Sequence, residues 1–453
     1  MKILTESKNY VIFEDIANER VLYEKVFNTI HNADDGINEI KKMLDNYDHK
    51  VDFKKIKPND LSAERFDSLA LNVTEDCNMR CGYCIYSGLY EDERTHSKKY
   101  MDMEIAILAI DEFLSKSKEN PKILFYGGEP LMNMDVIKGS VELAKKDKYD
   151  KNVEFGLTTN FTLAEKNLDF LTANNFIILI SLDGDKKVHD RFRKDLNGKG
   201  TFDKIYRDIK NLEANDPEYY NRKVGFSVTL ADPLNLLEVY EFFSDPLFRN
   251  NPVIVQSIER RFMKRDITNY DMKREKGDEQ ILKLANKYVK NIIECKDNNN
   301  FLRALFDQPV YFVHTLSGVH IPSELNPRGM CKPGFRKLFV NTNGTYYTCE
   351  KIGRRSDLGN VFDGFDLQKS VDLYNKYSDI KAEICNDCWA TRACNSCVST
   401  AKSKREIDVE GQKKMCGQLK EQIIKGLSIY SYLLKEDVHK KFKDYYSKID
   451  ILG

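Results

Sequence analysis

From about residue 69 the chain alternates two kinds of segment. Short runs rich in Val, Ile, Leu and Phe occupy Leu69–Thr74, Lys122–Tyr126, Val153–Thr159, Phe176–Leu182, Lys223–Leu230 and Pro252–Ile258. Their length and apolar content are those of buried strands. Between them lie amphipathic stretches of helix length: Met103–Lys116, Met132–Lys146, Leu163–Ala173, Phe202–Ala214 and Leu234–Phe243. Six strands alternating with five helices predict βαβ units and a parallel sheet. A partial α/β barrel and an open doubly wound sheet fit this order equally, because periodicity does not separate them.

The flanks read differently. Residues 1–65 predict a short hairpin (Tyr10–Glu14 and Val21–Val26) and a helix around Asp35–Leu44. Residues 271–305 read as helical and charged, broken by Lys-Asp-Asn-Asn-Asn at 296–300. From Cys331 the chain turns to Cys, Gly and Asn, and regular periodicity returns near Gln412. The charged tail, Glu436–Lys448, predicts a solvated surface helix. The division expected is 1–65 as an N-terminal extension, 66–270 as the strand–helix unit, 271–330 as a helical linker and 331–453 as a cysteine-rich domain with a closing helix.

Composition narrows the function classes. The 453 residues carry 71 Lys plus Arg against 71 Asp plus Glu. A net charge of zero gives no general attraction to nucleic acid or an anionic membrane. The longest apolar run, Phe176 to Leu182, is far short of the ~20 residues that span a bilayer. The start, MKILTESKNYVIF, lacks a signal peptide's apolar region, so the expected compartment is the cytoplasm, with no membrane and no nucleic-acid partner. In that reducing setting the eleven cysteines read as metal or iron–sulfur ligands before they read as disulfides.

Three of them stand in Cys77-x3-Cys81-x2-Cys84, on the loop leaving the first strand. Three thiolates on a short loop can hold three irons of a [4Fe–4S] cube and leave the fourth open. The alternative is an incomplete zinc site or three structural thiols. Polar clusters follow at later strand ends: Gly127-Gly128-Glu129-Pro130, Thr158-Thr159-Asn160 and Ser181-Leu182-Asp183-Gly184. In a strand–helix barrel all of them share one rim with the cysteines. Paired glycines let backbone approach a ligand, Glu129 can accept from an ammonium group, and Tyr83 can lie beside a bound cofactor.

The cysteine loop after strand one, with Gly-Gly-Glu-Pro after strand two, resembles the radical S-adenosylmethionine (SAM) superfamily over about residues 66–260. The resemblance implies that Cys77, Cys81 and Cys84 hold a cluster whose open iron is chelated by SAM. Reductive cleavage of SAM then yields a 5′-deoxyadenosyl radical that abstracts hydrogen. It places Gly127, Gly128 and Glu129 at the methionine end of SAM, with Thr159, Asn160, Ser181 and Asp183 as further contacts. The fold it implies is an α/β partial (β/α)6 barrel with a C-terminal cysteine-rich iron–sulfur domain and a small N-terminal α+β extension.

Seven more cysteines follow: Cys331, Cys349, Cys385, Cys388, Cys394, Cys397 and Cys416. Their number suits two zinc sites or two iron–sulfur clusters. Their spacing, with the segment Phe339–Cys349, resembles the SPASM extension of radical SAM enzymes that modify peptides. The spacing Cys394-x2-Cys397 departs from the three intervening residues more usual there. Carried over, the resemblance implies one auxiliary cluster on Cys385, Cys388, Cys394 and Cys416. Cys331, Cys349 and Cys397 would hold another with only three ligands, since relatives carry a further cysteine shortly before the position of Cys331. Cys295 is expected to be a buried small apolar residue.

The function expected is maturation of a ribosomally made, Cys-containing precursor peptide, the segments Cys84–Tyr90 and Cys388–Ala390 resembling maturases of Cys-rich peptides. The radical takes a C–H hydrogen, a thiolate closes on that carbon as a thioether, and one electron passes to the auxiliary cluster. The expected set is three [4Fe–4S] clusters, SAM, and an electron donor such as flavodoxin or ferredoxin. The N-terminal segment is a candidate leader-recognition module. The alternatives are an anaerobic sulfatase maturase, which makes formylglycine, and a non-catalytic zinc-binding protein.

Overall fold

The structure is a computed structural model that describes residues 1–32, 36–91, 93–232, 235–268, 270–316, 318–327 and 331–436. Its centre is a run of six parallel strands: β6 (Phe66–Thr74), β7 (Ser117–Gly127), β8 (Glu154–Thr159), β9 (Ile177–Ser181), β10 (Val224–Leu230) and β11 (Val253–Ser257). Each pairs in parallel with its sequence neighbour. Eight of the nine residues of β6 are buried, as expected for a parallel strand covered on both faces. The connecting helices include α3 (Met103–Ser115), α4 (Met134–Ala144), α5 (Leu168–Ala173), α7 (Phe202–Asn215) and α9 (Leu236–Phe242). Two more lie in loops whose turn chemistry hides them from periodicity. Asp185 caps α6 (Lys186–Phe192) by accepting from the Val188 N–H, and Asp216 caps α8 (Pro217–Lys223) by accepting from Tyr219 N–H.

The sheet does not stop at β6. Strand β13 (Leu338–Val340) pairs in parallel with it, Leu338 against Leu69, and β14 (Thr345–Tyr347), β15 (Asp357–Asn360) and β16 (Gly364–Phe365) continue the sheet antiparallel. The cysteine-rich region is thus built onto the barrel's first edge. The linker is the helix pair α10 (Tyr270–Ile293) and α11 (Asn300–Leu316), with its break where the asparagines fall. Cys295 is exposed, contrary to the expectation of burial. It holds φ 55° just past α10, and Lys296 N–H reaches back to Asn291 O at 2.8 Å, so it terminates the helix in a Schellman turn.

The N-terminal extension is larger than a hairpin. Strands β1 (Lys2–Glu6), β2 (Tyr10–Glu14), β3 (Arg20–Glu24) and β4 (Thr29–Asn32) form one antiparallel sheet, followed by α1 (Ile37–Asp45) and the short α2 (Pro58–Leu61). This sheet packs on the cysteine-rich region. Lys25 donates to Asn386 O at 2.8 Å, Arg392 donates to Lys25 O at 3.1 Å, and Tyr23 meets Trp389 edge-on. Strand β5 (Asp52–Phe53) pairs with β12 (Glu324–Leu325). Two helices, α12 (Leu367–Cys385) and α13 (Val409–Lys435), close the C-terminal region. The expected tail helix lies outside the described residues beyond Glu436. No helix among the described residues is long and apolar enough to cross a membrane.

Candidate active site

The carboxyl ends of β6 to β9 bring the first cysteine loop and the three polar clusters to one rim. The loop is pinned on both sides. Gly128 N–H donates to Thr74 O at 2.8 Å and Glu129 N–H to Asp76 O at 2.9 Å, while Gly82 N–H donates to Phe192 O at 2.9 Å. A Cβ on Gly128 would fall 1.9 Å from Asp76 O, and one on Gly127 2.6 Å from Thr74 O. These glycines therefore admit the loop's own backbone. The sulfurs receive donors of their own: Met79 N–H and Asn160 Nδ2 on Cys77, and Tyr86 N–H on Cys84. Burial pushes the Cys77 thiol up to about 12 and the Cys81 thiol up to about 11. A cation bound there must displace those protons, so loading releases acid.

Glu129 is 1% exposed. Its carboxylate accepts from Thr159 Oγ1 at 2.6 Å, Asn160 N–H at 2.8 Å and Leu131 N–H at 3.2 Å. Burial raises it to about 7 against those three donors, which suits a carboxylate awaiting a cationic neighbour. Asn160 also donates to Asn78 Oδ1 at 2.9 Å. Ser181 ends β9 half-buried. Asp183 is more heavily committed. Arg193 grips it with two N–H groups (2.9 and 3.1 Å), Thr229 N–H donates at 2.9 Å, and the Tyr83 hydroxyl donates to the same carboxylate. Tyr83 thereby ties the cysteine loop to the ends of β9 and β10. Arg193, which sequence reasoning missed, also faces the Cys81 sulfur.

The second cysteine group divides in two. Cys385, Cys388, Cys394 and Cys416 act on one another electrostatically, at the end of α12 and on α13. Buried Lys381 stands among them, donating to Ser396 Oγ at 2.9 Å. Burial works against its charge, but the Cys385 and Cys394 sulfurs outweigh it and hold its pKa above the ordinary lysine range. Cys331 and Cys349 each face Cys397. Burial and then the adjacent Glu350 push the Cys349 thiol up to about 12. No three His, Cys, Asp or Glu side chains among the described residues converge closely enough to share one metal ion. A cubane takes its thiolates at separate iron corners, so its ligands need not meet at a point.

Residues 71–238 match the family described as the radical SAM superfamily. The chain carries a radical SAM domain. It is similar to a cysteine-type anaerobic sulfatase-maturating enzyme of Clostridium novyi, 26% identical over 377 residues, covering 80% of this chain and 96% of the relative. It is also similar to a serine-type anaerobic sulfatase-maturating enzyme of Bacteroides thetaiotaomicron, 31% identical over 176 residues, which cover 37% of this chain and 41% of that one. A solved structure described as native anSMEcpe with bound AdoMet and Cp18Cys peptide superposes with a TM-score of 0.61 at 19% identity, covering 83% of this chain and 99% of that one. That likeness shows the shared fold.

A radical SAM domain implies one [4Fe–4S] cluster and SAM, and the non-catalytic zinc protein is set aside: this is an enzyme. The rim fits that pair. One buried and two half-buried cysteines sit on a pinned loop, and beside them is a buried carboxylate that pairs with no cation among the described residues. The radical SAM chain has further polar groups at the rim that sequence reasoning passed over: Arg193, Arg94 and His96. Arg193 follows Asp183 by ten residues in the charged segment Val188-His189-Asp190-Arg191-Phe192-Arg193. His189 is fully buried, its Nδ1 accepting from Asp183 N–H at 3.4 Å and its Nε2 lying 3.1 Å from Thr201 Oγ1.

Proposed function

We propose that this radical SAM enzyme matures a peptide by joining a cysteine sulfur to a carbon, as a thioether. In this reading Cys77, Cys81 and Cys84 hold the SAM-binding cluster. Glu129 receives the amino group of SAM, and Thr159 and Asn160 hold Glu129 in place. Asn160 and Met79 donate to Cys77, steadying its thiolate. When bound, the cluster supplies the electron that cleaves SAM to the hydrogen-abstracting 5′-deoxyadenosyl radical. Cys385, Cys388, Cys394 and Cys416 hold one auxiliary cluster. The observation that carries the crosslink is the other group: Cys331 and Cys349 each feel the Cys397 sulfur, and with four of the seven C-terminal cysteines grouped elsewhere this set has three. Three thiolates leave one position for the sulfur of a substrate. A thioether then removes two hydrogens from the peptide: one as an atom to 5′-deoxyadenosine, one as a proton, with an electron left to the auxiliary group. The N-terminal sheet, whose outer strands β1 and β4 have one neighbour each, is the proposed leader site, where a leader strand adds to an edge. A flavodoxin or ferredoxin is the proposed reductant.

Anaerobic sulfatase maturation is the second reading. It is favoured by similarity across 96% of the Clostridium novyi enzyme's length, and it too needs a peptide at this rim. The test is anaerobic turnover with SAM, a reductant and Cys-containing peptides. Loss of two hydrogens with the sulfur retained supports the crosslink. Loss of sulfur with gain of an aldehyde selects formylglycine and overturns it.

A further inference from the structure

Buried side-chain polar atoms that lack a partner fall one to a residue over the described residues, except on one segment. There four such atoms fall on two residues: Nη1 and Nη2 of Arg94, and both ring nitrogens of His96. Native proteins satisfy nearly all such groups, so a concentration of them asks for a ligand. The two residues flank one ring. The Arg94 guanidinium lies 3.4 Å from the centroid of Tyr86, and the His96 ring meets Tyr86 edge-on at 6.4 Å. The His96 N–H donates to Tyr86 O at 3.0 Å, strapping the segment to the cysteine loop two residues past Cys84.

The surroundings locate this cation. Its charge is felt by the Cys84 thiol and by the half-buried Tyr86 and Tyr126, and both tyrosines also feel Glu350, next to Cys349. Arg94 is thus within electrostatic reach of Cys84 and shares the Tyr86 and Tyr126 neighbours with Glu350, which adjoins Cys349. The carboxylates nearby among the described residues are committed elsewhere. Glu350 pairs with Lys337 at 3.3 Å, and Glu93 pairs with Arg355 at 2.9 Å and Lys402 at 3.2 Å. Glu75 accepts from Ser97 at 2.7 Å, and Asp76 from Tyr100 at 3.0 Å. Burial, then the Arg80 and Arg94 charges, hold His96 below the ordinary histidine range, so it offers a neutral ring with one N–H. A planar guanidinium held over an aromatic ring can meet a carboxylate with two parallel hydrogen bonds.

We propose that Arg94, with His96 beside it, binds a carboxylate of the peptide substrate and so sets which residue near an acidic side chain is presented to the radical. This deepens the peptide-maturase reading and rests on it. The carboxylate of SAM is the other source of the same chemistry. It is disfavoured because Glu129 and Asn160 gather beside Cys77, whereas Arg94 lies beside Cys84.

The experiment selects a display library of random dodecapeptides, each with one fixed Cys, on anaerobic, iron-loaded enzyme. Wild type, Arg94→Gln and Arg94→Lys are compared, with iron content and SAM affinity measured for each. Expected is about tenfold or greater enrichment of Asp or Glu at a fixed distance from Cys in wild type. Arg94→Gln loses it, and Arg94→Lys, which keeps the charge but not the fork, retains part. SAM affinity stays within about twofold throughout. The same acidic enrichment in Arg94→Gln overturns the proposal, as does a tenfold loss of SAM affinity with enrichment intact. Failure to enrich any peptide removes the peptide-maturase reading and this proposal with it, whereas peptides enriched without an acidic residue remove this proposal alone.

Discussion

Replacing Asp183 by Asn tests whether the rim is held by a buried ion pair. Asp183 and Arg193 side chains are 3% and 9% exposed. Both carboxylate oxygens are taken, one by Thr229 N–H and an Arg193 N–H, the other by Arg193 Nε and the Tyr83 hydroxyl. Asn keeps the shape but removes the charge and turns an N–H₂ toward a donor. The Arg193 guanidinium then stays buried without its counter-ion. Removing one partner of such a pair costs about 3–5 kcal/mol, or about 6–10 °C in the barrel's unfolding transition at ~2 °C per kcal/mol. Arg193→Met should cost a similar amount. The double variant should recover much of the loss, because no lone charge remains, with a coupling energy of about 2 kcal/mol or more. The assay is anaerobic thermal unfolding of iron-loaded wild type, both singles and the double. A double that is as unstable as the sum of the singles would refute the pairing. So would an Asp183→Asn protein with an unchanged midpoint and weakened SAM binding, which would make Asp183 a cofactor contact first.

Three further outcomes are expected. Gly128→Ala should abolish assembly of the first cysteine loop, since its Cβ would sit 1.9 Å from Asp76 O; iron per chain should fall by about four with the auxiliary groups still loaded. The Cys77/Cys81/Cys84→Ala variant should drop from about twelve irons to about eight, and near-zero iron in wild type would sink the cluster assignment. Burial, then the Arg193 charge, lower His189 from 6.5 to about 4. The unfolded chain takes up that proton first, so its contribution is full above pH 6.5 and is lost as pH falls toward 4. Wild type should lose about 2 kcal/mol between pH 7 and 5 that His189→Gln does not, and equal pH profiles in denaturant titrations would contradict it.

The barrel strands were legible because each is a continuous apolar run bounded by polar loop residues, and tertiary pairing left that local signal intact. Cys385, Cys388, Cys394 and Cys416 lie within electrostatic reach of one another, and Cys331 and Cys349 each within reach of Cys397. What was hidden is non-local. Nothing in Leu338–Val340 announces that it will lie beside Leu69–Leu71, so the hairpin was placed in a separate domain. The strands Lys2–Glu6 and Thr29–Asn32 carry little buried surface and so lack the apolar run by which a strand is read. The Gly127–Gly128 pair was assigned to ligand approach, whereas its crowding comes from Thr74 and Asp76. Arg94 and His96 sit in a polar, aperiodic stretch where only three-dimensional burial marks them.

The β6–β13 pairing also sets a schedule for synthesis. Leu69 leaves the ribosome roughly 270 residues before Leu338, its partner on that edge. At about 5–20 residues per second, the interval is about 15–50 s. During that time Leu69, Ala70 and Leu71 stand on an open sheet edge able to pair with the same strand of another nascent chain. A message truncated before residue 338 never closes it. Slowing translation across residues 270–337 should therefore lower the yield of soluble enzyme, and supplying residues 331–453 in trans should partly restore it.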